Sequence, residues 1–140
     1  MTEQFLLEGK QFRLTLDFDV LESDIIYPNN TALKISVFSE GFSATAEMDI
    51  DAKRIPAFYM GMKSRYDTRE GESVSAAGFG KKNITFTCDR YGHIFISGLL
   101  CSGGANGFWQ ELKFENAWDQ TFLPRFLKEM ERVSKKLLGG

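Results

Sequence analysis

A strict alternation of apolar and polar side chains from Gln11 to Val20 constrains the fold more than any other feature of the sequence. The apolar positions are Phe12, Leu14, Leu16, Phe18 and Val20. Because successive side chains of a β-strand point to opposite faces, this pattern predicts a strand with one face in the core and the other in water. Similar alternation recurs at residues 33–37, 42–50, 84–88, 94–96 and 112–118. The chain is therefore predicted to consist mainly of half-buried strands.

The first short connection, Gly9-Lys10, predicts a hairpin. A two-residue turn there places Leu7 opposite Phe12. The same register places Phe5 opposite Leu14. All four apolar side chains then lie on one face of the predicted hairpin.

A second hairpin is predicted around Glu40-Gly41. A tight turn at these residues brings Val37 opposite Ala44 and continues along both strands, so that Ile35 lies opposite Ala46. The apolar sets of the two strands meet on one face. The register is therefore consistent from end to end.

A third hairpin connects residues 84–88 to residues 94–96. A three-residue loop with Gly92 in the left-handed conformation pairs Cys88 with Ile94. It also pairs Phe86 with Ile96, whereas a loop one residue longer would divide the apolar set between two faces. The pattern therefore favours the three-residue loop. A weaker strand signal at residues 72–79 leaves its inward face open, because its apolar residues do not alternate.

Two segments show helical rather than strand periodicity. The first is predicted to run from about Arg54 to Tyr66, with Pro56 in the first turn, where a missing N–H is tolerated. The second is capped by Asp119 or Thr121. Its predicted apolar stripe comprises Phe122, Phe126, Met130, Val133 and Leu137.

The order of these segments predicts an α+β fold. We expect an antiparallel sheet of about eight strands in β4-α-β4-α order, since its strands alternate instead of being wholly apolar. Both helices are expected on one face of that sheet. With 140 residues and a hydrophobic content of 43%, residues 1–140 are predicted to form a single domain.

Composition narrows the compartment and the class of partner. The sequence has neither the apolar run of roughly 18 residues that a membrane span needs nor an N-terminal signal peptide, so a cytoplasmic protein without membrane contacts is expected. Cys88 and Cys101 are too few to cross-link a small secreted fold, and we predict two free thiols. A sequence pI near 5.5 argues against binding to nucleic acid.

Charge is distributed unevenly along the chain. Residues 1–51 carry ten acidic and three basic side chains, a net charge of −7, which leaves +5 for the remainder of a chain whose total is −2. Such asymmetry is typical of an acidic face that meets a basic partner, although ordinary solvated faces produce it too.

The residues with catalytic or metal-binding chemistry do not assemble into a site. His93 is expected opposite Asp89 at a hairpin end, where the pair could orient a base with Ser97 as the nearby nucleophile, but a polar cross-strand pair is the favoured explanation. Cys88 is expected inward, whereas His93 and Cys101 share the outward parity, and two ligands do not make a zinc site. We therefore predict no catalytic residue, no metal site and no cofactor.

Several large or charged side chains are expected on the outward face instead. The candidate partner-binding residues are Asp17, Asp19, Phe38, Glu47, Phe95 and Leu99. Exposed apolar groups surrounded by charges are typical of a protein interface. A sheet that closes on itself, or a loop that covers it, would hide the same residues.

The last third of the chain carries a family resemblance. The segments concerned are Gly92-His93-Ile94-x-Ile96-x-Gly98, Leu112-x-Phe114 and Asp119-Gln120-Thr121-x-Leu123-x-x-Phe126. They resemble the WapI-like immunity protein family, small cytoplasmic bacterial proteins that neutralise toxin domains of contact-dependent and polymorphic systems. The resemblance covers roughly residues 32–138, while the glycine-rich segment 102–107 and the pair Phe108-Trp109 depart from the family pattern.

The resemblance implies a non-enzymatic protein that binds and neutralises a cognate toxin domain. We expect it to be a monomer or weak homodimer. One alternative is a small-molecule binding module with an apolar cavity between the sheet and the C-terminal helix, lined by Phe and Met. Another is a chaperone for a secreted effector. An enzyme is the class that the sequence supports least.

Overall fold

The computed structural model describes residues 1–21, 29–68, 73–79, 82–89 and 91–138. The strands are β1 (Thr2–Gly9), β2 (Phe12–Val20), β3 (Thr31–Ser39), β4 (Phe42–Ile50), β5 (Ser73–Phe79), β6 (Lys82–Cys88), β7 (Ile94–Ser102) and β8 (Gln110–Trp118). The helices are α1 (Arg54–Thr68) and α2 (Leu123–Leu137), and a 3-10 turn, Gln120–Phe122, precedes α2. Neither helix, at 15 residues each, is long and apolar enough to cross a bilayer.

The strands form two antiparallel four-stranded sheets, in the orders β1-β2-β3-β4 and β5-β6-β7-β8. The α+β class and the antiparallel pairing are confirmed. The predicted β4-α-β4-α arrangement as one sheet of about eight strands, with both helices on one face, is wrong. No strand-pairing ladder joins the two sheets within the described residues, although Asn116 Nδ2 of β8 donates a 2.9 Å hydrogen bond to Ser39 Oγ of β3. A 3-10 turn interrupts the predicted order. Alternation reports which face of a strand is buried and carries no information about which strands pair across a helical connection.

The first hairpin differs from its predicted register. Its turn lies at Lys10-Gln11, with Gln11 at φ 52°, and Gly9 pairs with Phe12 as part of β1. A Cβ added to Gly9 would lie 3.1 Å from the carbonyl oxygen of Ala117 in β8. Gly9 therefore permits a close approach between the sheets instead of forming the turn. The predicted parity survives, because the shift of two residues returns every side chain to the same face.

The second and third hairpins have the predicted registers. Val37 lies opposite Ala44, and Cys88 lies opposite Ile94 with Phe86 opposite Ile96. Gly92 has φ 86°, the left-handed conformation that the short loop requires. Residue 90 of that loop lies outside the described residues.

An irregularity within β5 explains why the inward face of this strand could not be predicted. Its register with β6 is interrupted between Ser75 and Ala77, so that Ala76 is the extra residue of a β-bulge. A bulge inserts one residue into one strand and breaks the two-residue period at that point. The predicted start at Glu72 lies outside the described residues.

One hydrophobic core joins both sheets and both helices. Phe126 of α2 lies at its centre, where it contacts Phe5 of β1, Phe58 of α1, Phe86 of β6 and Trp118 of β8 at ring-centroid distances of 5.4–6.3 Å. Such aromatic contacts add to the free energy gained by burying the rings. The second helix therefore connects the two sheets through a shared aromatic cluster.

The predicted apolar stripe of the second helix is correct except at its first member. Phe126, Met130 and Val133 are buried, whereas Phe122 is 52% exposed. Phe122 belongs to the 3-10 turn, whose side chains are not in phase with those of α2. Asp119 caps this turn through a hydrogen bond that its Oδ1 accepts from the N–H of Thr121 at 2.9 Å. The predicted capping of the second helix itself by Asp119 or Thr121 is wrong, because its N-cap is Phe122, which makes no side-chain capping hydrogen bond.

An ion pair attaches α2 to the edge of the first sheet. Arg132 donates from Nη1 and Nη2 to the two carboxylate oxygens of Glu3, at 3.2 and 2.9 Å, and Lys136 Nζ lies 3.4 Å from Glu3 Oε1. The hydrogen bonds from Arg132 lower the pKa of Glu3 below its ordinary value of 4.5, although partial burial opposes them. The paired, charged form of Glu3 is therefore favoured in the folded state.

Acid stability is expected to depend on this contact. Because the pKa of Glu3 is lower in the folded state than in the unfolded state, its contribution is present above about pH 4.5 and is lost as the pH falls through the folded value. Glu3→Gln should reduce the thermal midpoint at pH 7 and flatten its decline in acid, as measured by circular dichroism between about pH 7 and pH 3. Glu8→Gln is the matched control, since Glu8 forms only an exposed 3.6 Å pair with Arg13. Equal effects of the two variants would contradict the assignment.

Candidate partner-binding site

The outward side chains of the first sheet form cross-strand rows, because its four strands pair in continuous register. One row consists of Thr2, Asp19, Ala32 and Asp49, and the next of Gln4, Asp17, Lys34 and Glu47. The further rows are Leu6, Thr15, Ser36 and Thr45, and then Glu8, Arg13, Phe38 and Ser43. The face therefore changes from acidic at one end to partly apolar at the other.

The two acidic rows line a groove of about 600 Å³, which we call the acidic groove. Its outward side chains are Thr2, Gln4, Asp17, Asp19, Ala32, Lys34, Glu47 and Asp49. The twist inherent in a β-sheet gives such a face a curved shape. Three of the predicted partner-binding residues, Asp17, Asp19 and Glu47, lie together here.

The groove carries four carboxylates and one ammonium group among these side chains. Lys34 lies between Asp17 and Glu47 in register, so its charge is shared by two acidic neighbours. Gln4 Nε2 donates a hydrogen bond of 2.7 Å to Asp17 Oδ1 and holds that carboxylate in place. A concave surface with an excess of one charge concentrates its field and attracts groups of opposite charge. The acidic groove is therefore suited to Lys or Arg side chains.

The opposite end of the same face is less polar. Leu6 and Phe38 are 53% and 40% exposed, and Arg13 pairs with Glu8 beside them. Six residues of strand separate the row of Asp19 from the row of Phe38, about 20 Å at the rise of an antiparallel strand. Phe38 thus lies on the same sheet face as the acidic groove but at its far end.

The remaining predicted residues, Phe95 and Leu99, lie on β7 in the second sheet. Phe95 is 40% exposed and lines a surface hollow together with Lys10 and His93. Leu99 is only partly exposed and pairs with Lys113. The structure therefore places the six predicted residues on two sheets instead of one continuous face.

The Asp89–His93 pair is present as predicted. Asp89 Oδ2 lies 2.9 Å from His93 Nδ1, and Asp89 Oδ1 accepts hydrogen bonds from the backbone N–H groups of Tyr91 and His93. The carboxylate therefore fixes the hairpin turn. Ser97 lies further along β7, opposite Thr85 and Glu115 in register.

Both cysteines are free thiols, as predicted. Cys88 points inward as expected. Cys101 keeps the predicted outward parity in the continuous register of β7 with β8, but it is buried, as is Leu100. Consecutive buried residues require that both faces of the strand are covered, and β4 of the first sheet packs beside β7. No cluster of three or more His, Cys, Asp or Glu side chains suited to a metal ion occurs among the described residues.

Comparison with known proteins adds no relative: no protein-family model matches the chain, and no curated protein matches its sequence. The resemblance to the WapI-like immunity family therefore stays a prediction from the sequence.

Two residues of this face escaped the sequence prediction, although the sequence contains a signal for each. Asp49 follows from the alternation of β4, which turns Met48 inward and its neighbour outward. Leu6 lies between Phe5 and Leu7, so one of three consecutive apolar residues had to point outward.

Proposed function

We propose that this chain is a non-enzymatic immunity-type protein that binds and neutralises a cognate bacterial toxin domain through the acidic groove. The observation that supports the proposal is the excess of carboxylates over ammonium groups in a concave, solvent-exposed sheet face. The resemblance of residues 92–126 to the WapI-like family supports the same function from the sequence.

The charge of the groove defines the partner surface. A toxin domain that acts on a polyanion presents Lys and Arg side chains around its active site, because those groups bind phosphate. Asp17, Asp19, Glu47 and Asp49 would pair with such side chains and cover the site. Complementary charges of this kind increase the association rate and select the partner, while apolar contacts determine most of the residence time.

The apolar contacts are expected at the other end of the face. The whole face, four strands wide and 20 Å long, covers roughly 300 Å², less than the roughly 800 Å² that each partner of a stable complex contributes. The interface must therefore use the apolar end as well as the groove and extend past the face. Leu6 and Phe38 are exposed large apolar side chains at that end, which makes them the expected anchors.

The identity of the partner can be tested by capture. The tagged protein is incubated with lysate of its source cells, and retained proteins are identified by mass spectrometry. The proposal predicts stoichiometric recovery of a toxin domain, and co-expression with that domain should restore growth of a sensitive host. Failure of the protein to restore growth against the recovered domain would contradict neutralisation.

Removal of two groove charges is expected to weaken the complex. Asp17→Asn with Asp19→Asn keeps the shape of the groove but removes half of its carboxylates, so the dissociation constant should rise about 30-fold or more, corresponding to about 2 kcal/mol. Isothermal titration calorimetry against the purified toxin domain measures the change. Glu111→Gln with Glu115→Gln is the matched control, because both glutamates are exposed on β8 of the second sheet. A control variant that loses as much affinity would place the interface elsewhere.

A second candidate function has one supporting observation. A hollow of about 390 Å³ lies between β1 and α2 and is lined in part by Phe5, Trp118, Phe122 and Phe126. This is the location expected for a small-molecule binding module, although none of the described residues that line the hollow is a methionine. A native mass spectrum that retains a small ligand, together with loss of that ligand in Phe122→Ser, would favour this function over toxin binding.

A further inference from the structure

A second, smaller cavity lies where the end of α1, the β6–β7 connection and the start of α2 meet. It has a volume of about 280 Å³ and is separate from the acidic groove, which lies on the other sheet. Six of its lining residues define it here as the junction cavity: Arg65, Tyr66, Cys88, Ile94, Thr121 and Leu123. The two hypotheses for function use neither this cavity nor these side chains.

The walls of the junction cavity divide into an apolar part and a polar part. Cys88, Ile94 and Leu123 are buried and form apolar surface, whereas Arg65, Tyr66 and Thr121 are partly or largely exposed. A few polar groups that converge on an apolar hollow are typical of a small-molecule site. At about 30 Å³ per water molecule, the volume equals about nine waters. The cavity therefore fits a molecule of on the order of ten non-hydrogen atoms.

The charge of the cavity is set by Arg65 and Asp89, which both line it. Both oxygens of Asp89 already accept hydrogen bonds from the hairpin, at 2.9 Å each, from the N–H groups of Tyr91 and His93 and from the His93 ring. Burial raises the pKa of the Cys88 thiol, although the positive charge of Arg65 opposes the rise, so this wall is uncharged near neutral pH. A guanidinium carries five N–H donors and can bind a carboxylate while it keeps its other neighbours.

We propose that the junction cavity binds a small monocarboxylate with a flat apolar body. The carboxylate pairs with Arg65, and the body lies against Cys88, Ile94 and Leu123. The proposal is independent of the acidic groove and of toxin binding.

Benzoate and its neutral isostere benzamide provide the test, in titrations of the ¹⁵N-labelled full chain followed by NMR. We expect saturable shifts at the amides of Gly92, Ile94 and Thr121 with benzoate, at a dissociation constant of the order of 1 mM. Benzamide should bind about tenfold more weakly, because it carries no charge and cannot form the bidentate ion pair that a carboxylate forms with a guanidinium. Equal binding of the two probes, or no saturable shift with benzoate, would overturn the proposal.

Two substitutions test whether benzoate binds in the junction cavity. Arg65→Gln should weaken benzoate about tenfold and benzamide by much less, whereas Arg13→Gln on the first sheet is the control and should alter neither affinity. Thr121→Tyr is a second variant that does not depend on Arg65, since Thr121 is exposed and a larger side chain there fills the mouth of the cavity. It should abolish binding of both probes with the fold intact. Unchanged benzoate affinity in Thr121→Tyr would show that the probe binds elsewhere.

Discussion

Gly98→Ala is expected to destabilise the domain by about 3 kcal/mol, at the upper end of the range for overpacking a well-packed core. A Cβ at this position would lie 2.6 Å from the carbonyl oxygen of Asn83, 2.7 Å from Phe114 Cε1 and 2.8 Å from Ile84 Cδ1. Gly98 lies in the middle of β7 and pairs with strands on both sides. Neither of the neighbouring strands, β6 and β8, can move away from Gly98 without disturbing the hydrogen bonds of the sheet.

Urea unfolding followed by circular dichroism measures this loss as a lower midpoint with an unchanged slope. Gly103→Ala is the matched control, because nothing lies within 4 Å of its added Cβ. The control should change the free energy of unfolding by less than about 0.5 kcal/mol. A Gly98→Ala variant as stable as the control would mean that β6, β7 and β8 pack less closely than described.

Phe126→Ala is expected to cost about 3–5 kcal/mol of folding free energy, the usual range for removal of a buried aromatic ring. The ring lies 5.4 Å from Trp118, 5.8 Å from Phe5 and 6.2 Å from Phe86, so its loss opens a cavity bordered by both sheets. Because the cluster connects the sheets, the whole domain should lose stability together.

Amide hydrogen exchange distinguishes this outcome from local loosening. In Phe126→Ala, the most protected amides of β2 and of β7 should lose the same free energy of opening. Phe122→Ala, one turn earlier, is the control, because the Phe122 side chain is 52% exposed. It should change the free energy of opening in β2 and in β7 by no more than about 0.5 kcal/mol. Loss of protection in one sheet alone would show that the two sheets fold as separate units.

The registers that the sequence predicted correctly are those where a turn and an apolar pattern agree. At Glu40-Gly41 only one turn length brings the apolar sets of β3 and β4 to one face. At Gly92 the positive φ fits the three-residue loop, which brings the apolar sets of β6 and β7 to one face. Local chemistry was sufficient in both cases, because a wrong register would have exposed half of the apolar side chains.

The errors arose where packing between the sheets, or a change of helix type, determines the structure. Gly9 resembled a turn residue, but β8 lies against it. Phe122 fitted a helical stripe but belongs to a 3-10 turn. Cys101 had outward parity but is buried where β4 packs beside β7. None of these three features leaves a periodic signal in the sequence.

Part of the candidate site was predictable from the alternation within single strands. Alternation alone placed Asp17, Asp19 and Glu47 on the outward face, and the register then brought them into one groove. Phe95 and Leu99 had the same outward parity, but parity does not say that they belong to a second sheet. The composition of a face can be inferred from one strand at a time, whereas its extent requires the arrangement of the sheets.

The most direct test of toxin binding through the acidic groove is the association rate of the toxin domain, measured by stopped flow at low and high salt. The proposal predicts a rate for the unmodified protein that falls at least about tenfold between 50 and 500 mM salt. Asp17→Asn with Asp19→Asn should associate more slowly at low salt and depend less on salt. Equal rates and equal salt dependence in the two proteins would contradict a role of the groove in binding.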